Sequence, residues 1–170
     1  MRECFLLLDD NEYKKVWDAV FKELQFKPSI NTGVASFDIK FPFVIYDISQ
    51  VSEQDIDNFD DVISNVFVKC IGNEEYIYAL DWQHSAFRYN PRIKIKKPSF
   101  YVVDERYGHG GYNAFFPSFF PDGDYYFFIS KNFDWGYLGH PWQQKVWVFG
   151  KRLIEEFENV YQKIGFIRTN

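Results

Sequence analysis

The fold class this sequence predicts is α+β: a mostly antiparallel sheet that ends in a C-terminal meander, with three amphipathic helices packed on it. Three observations predict it. Residues 115–150 hold three of the five tryptophans, and their aromatic runs are separated by turn signals at Asp122-Gly123, at residues 132–134 and at Gly139-His140-Pro141-Trp142. Apolar residues recur at three- and four-residue steps in three separate stretches, the mark of helices with one buried face. The elements come in the order helix, strands, helix, strands, helix, which suits helices packed on one face of an antiparallel sheet. A chain of 170 residues fits one domain, 1–170, and is long enough to build a core without disulfides. Aromatic content of 22% favours strands, because aromatic rings suit a pleated, half-buried surface.

Residues 4–8 read as a short strand or a lead-in packed on the core. Asp9, Asp10 and Asn11 then start a helix, and Tyr13, Val16, Trp17, Val20, Phe21 and Leu24 form its apolar stripe. Pro28 restricts the residue before it, so the helix should end near Phe26. After a polar loop, Phe37–Phe41 alternates strictly and residues 43–48 are strongly apolar: an interrupted strand or a hairpin, with Pro42 at an edge or bulge. Ser52 is a good N-cap, and acids in the first turn suit the helix dipole. Ile56, Phe59, Ile63, Val66, Phe67 and Cys70 make the second stripe, which Gly72 stops.

Residues 76–82 form a strand that runs into Gln83-His84, and residues 86–89 are its hairpin partner. Residues 99–103 are another strand, and residues 106–112 (RYGHGGY) a flexible loop. The meander places strands at residues 124–129, 135–138 and 145–149. Leu153, Phe157, Val160 and Ile164 form the last helical stripe, ended by Gly165.

Net charge is −5, and no basic stripe covers a face, so nucleic-acid binding is not expected. The one basic cluster, Arg92, Lys94, Lys96 and Lys97, reads as a charged edge or loop. Two cysteines far apart, Cys4 and Cys70, read as reduced core residues. The start has neither a signal-peptide pattern nor a membrane-spanning length, so the expectation is a cytoplasmic protein without membrane association.

Chemical motifs are weak. His84, His109 and His140 lack the close ligand spacing of known metal motifs, so no metal or cofactor is expected. His84 and His140 read as braces of their turns. Were the loops to meet, Asp81, Trp82, His84, Asp124 and His140 would form a pocket, and a His pair beside Asp81 and Asp124 would be a metal candidate. Asp124 is expected to pair with Arg88 or a lysine. Cys70 sits on an apolar helix face, and neither Ser118 nor Ser130 lies in a GxSxG turn, so no nucleophile is expected. The glycines of residues 106–112 do not follow the strand–GxGxxG–helix pattern of a dinucleotide loop.

The strand at residues 124–129 is aromatic on both faces, since alternate residues point to opposite sides. Three helices are too few to cover both faces amply, so an exposed aromatic surface is expected. Tyr125, Trp135, Tyr137 and Trp142, with the acidic helix face Asp57, Asp60 and Asp61, are its candidate partner-binding residues.

Ala79–His84 (ALDWQH), Arg88–Pro91 (RYNP), Pro121–Phe128 (PDGDYYFF), Gly136–Trp142 (GYLGHPW) and Val148–Gly150 resemble a bacterial family catalogued as domain of unknown function 2716. Trp17–Phe21, Pro28-Ser29 and residues 46–49 fit the same family, so the resemblance covers most of the chain. It implies no activity that transfers residue by residue. Some relatives look like immunity proteins of LXG-type toxins from Gram-positive bacteria. The expectation is therefore an immunity protein, not an enzyme, that binds and neutralises a cognate toxin. Its acidic balance suits a basic toxin domain such as a nuclease. The alternatives are a small-molecule binder or enzyme using the DWQH and GHPW loops, or a structural or regulatory homodimer.

Overall fold

The computed structural model describes residues 2–95, 101–104 and 112–170; for residues 53–55, 57, 58, 101–104, 112 and 113 it describes the backbone alone. Eight strands form one antiparallel sheet in the spatial order β1-β4-β3-β7-β8-β9-β2-β10. They are β1 (Phe5–Leu7), β2 (Phe43–Asp47), β3 (Ile77–Asp81), β4 (Ala86–Tyr89), β7 (Tyr126–Ile129), β8 (Gly136–His140), β9 (Lys145–Phe149) and β10 (Ile167–Arg168). A separate hairpin pairs β5 (Tyr101–Asp104) with β6 (Tyr112–Phe115). The helices are α1 (Asp10–Glu23), α2 (Glu53–Ile71) and α3 (Lys151–Glu158), the last followed by a 3-10 turn at Tyr161–Ile164.

The α+β class and the meander β7-β8-β9 are as the sequence predicts, and the meander fills the middle of the sheet. The helices, however, divide between the two faces. On one face α2 and α3 cover Phe128, Tyr137, Val146 and Val148, with Phe116 and Phe119 from the segment before β7. On the other, α1 covers Leu80, Phe127, Ile129 and Leu138, joined by Phe26 and Ile39 from the coil of residues 24–41. Period-two alternation thus delivers Phe127 and Phe128 to different cores. Among the described residues the expected exposed aromatic face is covered, because coil does the covering that a fourth helix would have done.

That coil corrects the strand expected at residues 37–41. Its alternation is used for burial without a ladder. Phe37 stacks on Phe26 (ring centroids 5.5 Å apart) and packs on Trp147 at 5.3 Å, while Ile39 is buried. The coil doubles back through Lys27 N–H to the Ser36 carbonyl (2.9 Å) and Asp38 N–H to the Leu24 carbonyl (3.0 Å). These bonds satisfy its backbone in the absence of a strand partner.

Local capping follows the sequence. The Asp9 carboxylate accepts from Glu12 N–H at 2.9 Å and starts α1. The helix ends at Glu23, ahead of the expected stop, with Gln25 in the left-handed region at φ 47°. Arg88 does not pair with Asp124. Its guanidinium grips the Glu12 carboxylate, fastening α1 to β4. Arg92 of the basic cluster donates to the Gly72 and Glu74 carbonyls after α2, and Lys94 pairs with Asp61 at 2.8 Å. Lys96, Lys97 and His109 lie outside the described residues, as does the 106–111 part of the expected glycine loop; Tyr112 opens β6.

Gly150 links β9 to α3 at φ +88°. A Cβ there would stand 2.5 Å from the Asp134 carbonyl oxygen and 2.5 Å from Trp135 Cβ. Gly150→Ala is therefore expected to destabilise the protein by about 2–3 kcal/mol, through left-handed strain together with overpacking against backbone. Urea unfolding checks this, and a loss below about 1 kcal/mol would contradict it.

Candidate functional site

The DWQH motif closes the β3–β4 hairpin. Asp81 N–H donates to the Ser85 carbonyl (2.8 Å), while the Asp81 carbonyl accepts from His84 N–H (3.1 Å) and Ser85 N–H (3.2 Å). Gln83 takes a left-handed φ of 66° to make this turn. The turn folds His84 back over Asp81, with Nδ1 3.0 Å from Asp81 Oδ1. Strand pairing brings the third group. Asp81 lies opposite Tyr126, and Asp124 stands two residues before Tyr126. One Asp124 oxygen accepts from Tyr125 N–H at 2.7 Å, and the other lies 3.6 Å from His84 Nδ1. Each of the three side chains offers a donor atom, and these atoms lie within 4.8 Å of one another.

Asp81 is only 9% exposed, and Asp124 is half-buried. Burial pushes the Asp81 carboxyl up to about 6 despite the hydrogen bond from His84, and the charges of Asp124 and Asp122 push the same way. Burial also raises Asp124. The arrangement concentrates carboxylates against one imidazole.

His140 does not join this group. It is fully buried on the α1 side of the sheet, where it braces a loop. Its Nδ1 accepts from Gln143 N–H (3.3 Å), so Nε2 carries the ring proton. Nε2 lies 3.0 Å from Ser36 Oγ and 3.1 Å from the Tyr125 hydroxyl. The Tyr125 hydroxyl donates to the Ser29 carbonyl (2.8 Å) and accepts from Ser29 N–H (3.0 Å). A consistent assignment has Nε2–H donating to Ser36 Oγ and the Ser36 hydroxyl, 2.9 Å away, donating to Tyr125. Every group is then satisfied. Burial pushes the His140 imidazole down to about 4, which keeps it neutral. Trp82 packs edge-on against Phe26 and Tyr125 at the rim of this core.

The expected partner-binding set does not form one surface. Tyr125 and Tyr137 are fully buried and Trp135 nearly so. Trp135 and Tyr137 lie under α2 against Phe67, at 5.8 and 6.2 Å, and Tyr125 lies on the opposite face. Asp61 is exposed and paired with Lys94. Asp60 lines a cleft of about 280 Å³ with Ile56, Ile95 and Phe116–Phe119. Asp57 is in α2, and its side chain lies outside the described residues.

Trp142 does reach the surface, at 37% exposure, with its ring 5.2 Å from Tyr125. Beside it is the loop that His140 braces. Gln143 Nε2 donates to the Thr32 and Val34 carbonyls, both at 3.2 Å, joining that loop to the Pro141–Gln144 turn. On the loop, Ile30 is 75% and Val34 44% exposed. Sequence reasoning missed these two, although two β-branched apolar residues in an otherwise polar loop were a usable signal. The braces Ser29 and Ser36 carried no signal at all. Neither thiol is reactive in this setting. Burial pushes Cys70 up to about 12 and Cys4 up to about 11.

Sheet, coil and brace together define an α+β protein that presents an internally clamped surface loop and a small His–carboxylate cluster. The chain belongs to the family described as "Protein of unknown function (DUF2716)", whose model matches residues 7–154. It is similar to the Bacillus subtilis (strain 168) protein called "Uncharacterized protein YxiI", 28% identical over 162 residues that cover 89% of this chain and 91% of that protein. No solved structure matches it. Among the described residues, no helix is long and apolar enough to cross a membrane.

Proposed function

We propose that the chain is an immunity protein, a cytoplasmic binding protein that neutralises a cognate bacterial toxin by covering its active surface. The observation that carries this reading is three exposed apolar residues, Ile30, Val34 and Trp142, on two segments that Gln143 ties together. Single exposed apolar residues are ordinary on any protein surface. Here three stand on two segments tied together by Gln143, above a buried polar brace. A loop fixed from within loses little entropy when it binds, which makes its contacts more effective. Trp142 supplies the aromatic anchor that interfaces favour. The net charge of −5 suits steering toward a basic partner, such as a nuclease-type toxin domain.

The test is to copurify the chain with a candidate toxin domain from a neighbouring gene. A one-to-one complex on size exclusion is expected. Ile30→Asp and Trp142→Ala are each expected to weaken it by about 30-fold or more, the effect of losing about 2 kcal/mol at an anchor. No complex, or unaltered affinity in both folded variants, would overturn the reading.

A further inference from the structure

We propose that Asp81, His84 and Asp124 form a binding site for one first-row divalent metal ion, held by His84 Nδ1 and one oxygen from each carboxylate. The inference is independent of toxin binding. It starts from a mismatch of donors and acceptors. Both carboxylates approach the same imidazole nitrogen, Asp81 at 3.0 Å and Asp124 at 3.6 Å. A protonated Nδ1 has a single N–H, which the Asp81 bond uses. The facing Asp124 oxygen receives no N–H from that nitrogen, and its charge opposes that of Asp81. A divalent cation between them takes both carboxylates and the imidazole lone pair at once, with the ring proton on Nε2, and it balances their charge.

The geometry is of the right size. Tetrahedral bonds of about 2.1 Å separate neighbouring donor atoms by about 3.4 Å, and the two His84 separations are 3.0 and 3.6 Å. The three donor atoms lie within 4.8 Å of one another, so side-chain shifts on the order of 1 Å bring them to that spacing. The scaffold is rigid: Asp81 ends central strand β3, Asp124 leads into central strand β7, and the left-handed Gln83 fixes the turn that carries His84. Among the described residues acting on Asp81, His84 alone can carry positive charge; the others are Asp124 and Asp122. Asp122 adds negative potential from an outer position.

The donor set indicates the class of ion. One nitrogen with two carboxylates suits zinc, manganese or iron, whereas calcium and magnesium prefer all-oxygen sites. His84 is half-exposed, so the remaining coordination positions face solvent. The ion would clip the β3–β4 turn to the start of β7.

Tag-free protein, stripped with a chelating resin, is titrated with zinc chloride and with manganese chloride by calorimetry. One saturable site per chain is expected for at least one of the two ions. His84→Ala and Asp124→Asn are expected to weaken it at least about tenfold with the fold intact, while the surface variant Asp61→Asn leaves it unchanged. Should a variant fail to fold, manganese broadening of the wild-type imidazole resonances replaces it, and His84 is expected to broaden ahead of the other two histidines. No saturable binding, equal affinity in both variants, or no preference for His84 would overturn the assignment.

Discussion

Phe128→Ala is expected to lower stability by about 3–5 kcal/mol, a large part of the total for a domain of this size. Phe128 is fully buried in the strand at the middle of the sheet. Its ring meets Phe119 at 4.6 Å, Phe67 at 5.6 Å, Phe116 at 6.0 Å and Tyr137 at 6.1 Å. It therefore joins α2, the segment before β7 and strand β8 at one point. Truncation removes the transfer energy of the ring and leaves a cavity among rigid aromatics that cannot collapse into it. Urea titration at pH 7 measures the loss. Phe41→Ala, at a half-exposed position stacked on Phe149, is the comparison, and it should lose much less. Equal losses at the two sites would contradict the two-core account.

His140→Ala is the second large effect, about 2–4 kcal/mol at pH 7. It leaves the buried Ser36 hydroxyl without its donor and the Gln143 N–H without its acceptor, at about 1–3 kcal/mol for each unmade bond. It also releases the loop carrying Ile30 and Val34, so faster amide exchange there should accompany it. The pH dependence follows from the depressed imidazole. Folded, His140 protonates only near 4; unfolded, near 6.5. Above 6.5 both states are neutral and this group adds no slope. Between 6.5 and 4 the unfolded chain binds the extra proton, so stability falls as pH falls, by on the order of 3 kcal/mol in all.

Asp81 works in the opposite sense. Its folded carboxyl is raised to about 6 from 3.8, so it adds stability as pH falls through that window. The two contributions offset each other in the native chain. Removing His140 uncovers the Asp81 contribution, and the variant should lose less stability between pH 6.5 and 4.5 than the native chain does. An unchanged slope would contradict the neutral buried imidazole.

Much of the fold was legible because its periodicities are clean. The stripe of Val16, Trp17 and Val20 predicts α1, and Ala86–Tyr89 emerges with the expected bounds. The turns around Asp122-Gly123 and Pro141-Trp142 mark out the meander. What failed was inference about coverage. Counting helices suggests a bare aromatic face, yet Phe26, Phe37 and Ile39 cover it from irregular backbone whose hydrogen bonds no periodicity announces. The same limit hid the brace, because Ser29 and Ser36 acquire a role only once the coil folds onto His140. The short strand β10 is likewise set by tertiary pairing, here with β2, and the last helical stripe is divided between α3 and a 3-10 turn.

The site was half legible. Asp81, His84 and Asp124 do meet, because β3 pairs with β7 in the register that sets Asp81 against Tyr126. His140 was expected in the same pocket, but sheet alternation places it with Leu138, among Phe37, Tyr125 and Trp147 on the α1 side. Tyr125, Trp135 and Tyr137 looked like anchors by residue type, and their burial makes them core. Trp142 stays partly outside because it sits in the turn that closes the β8–β9 hairpin, with its ring against Tyr125.

The most direct test of the proposed function is growth rescue. Cells expressing a candidate toxin domain from a neighbouring gene are given the native chain, or a chain carrying both Ile30→Asp and Trp142→Ala whose folding has been verified by its unfolding curve. Rescue by the native chain and its loss in the folded double variant is the predicted result. Equal rescue by both would contradict the assigned surface, and no rescue by the native chain would contradict the immunity function itself.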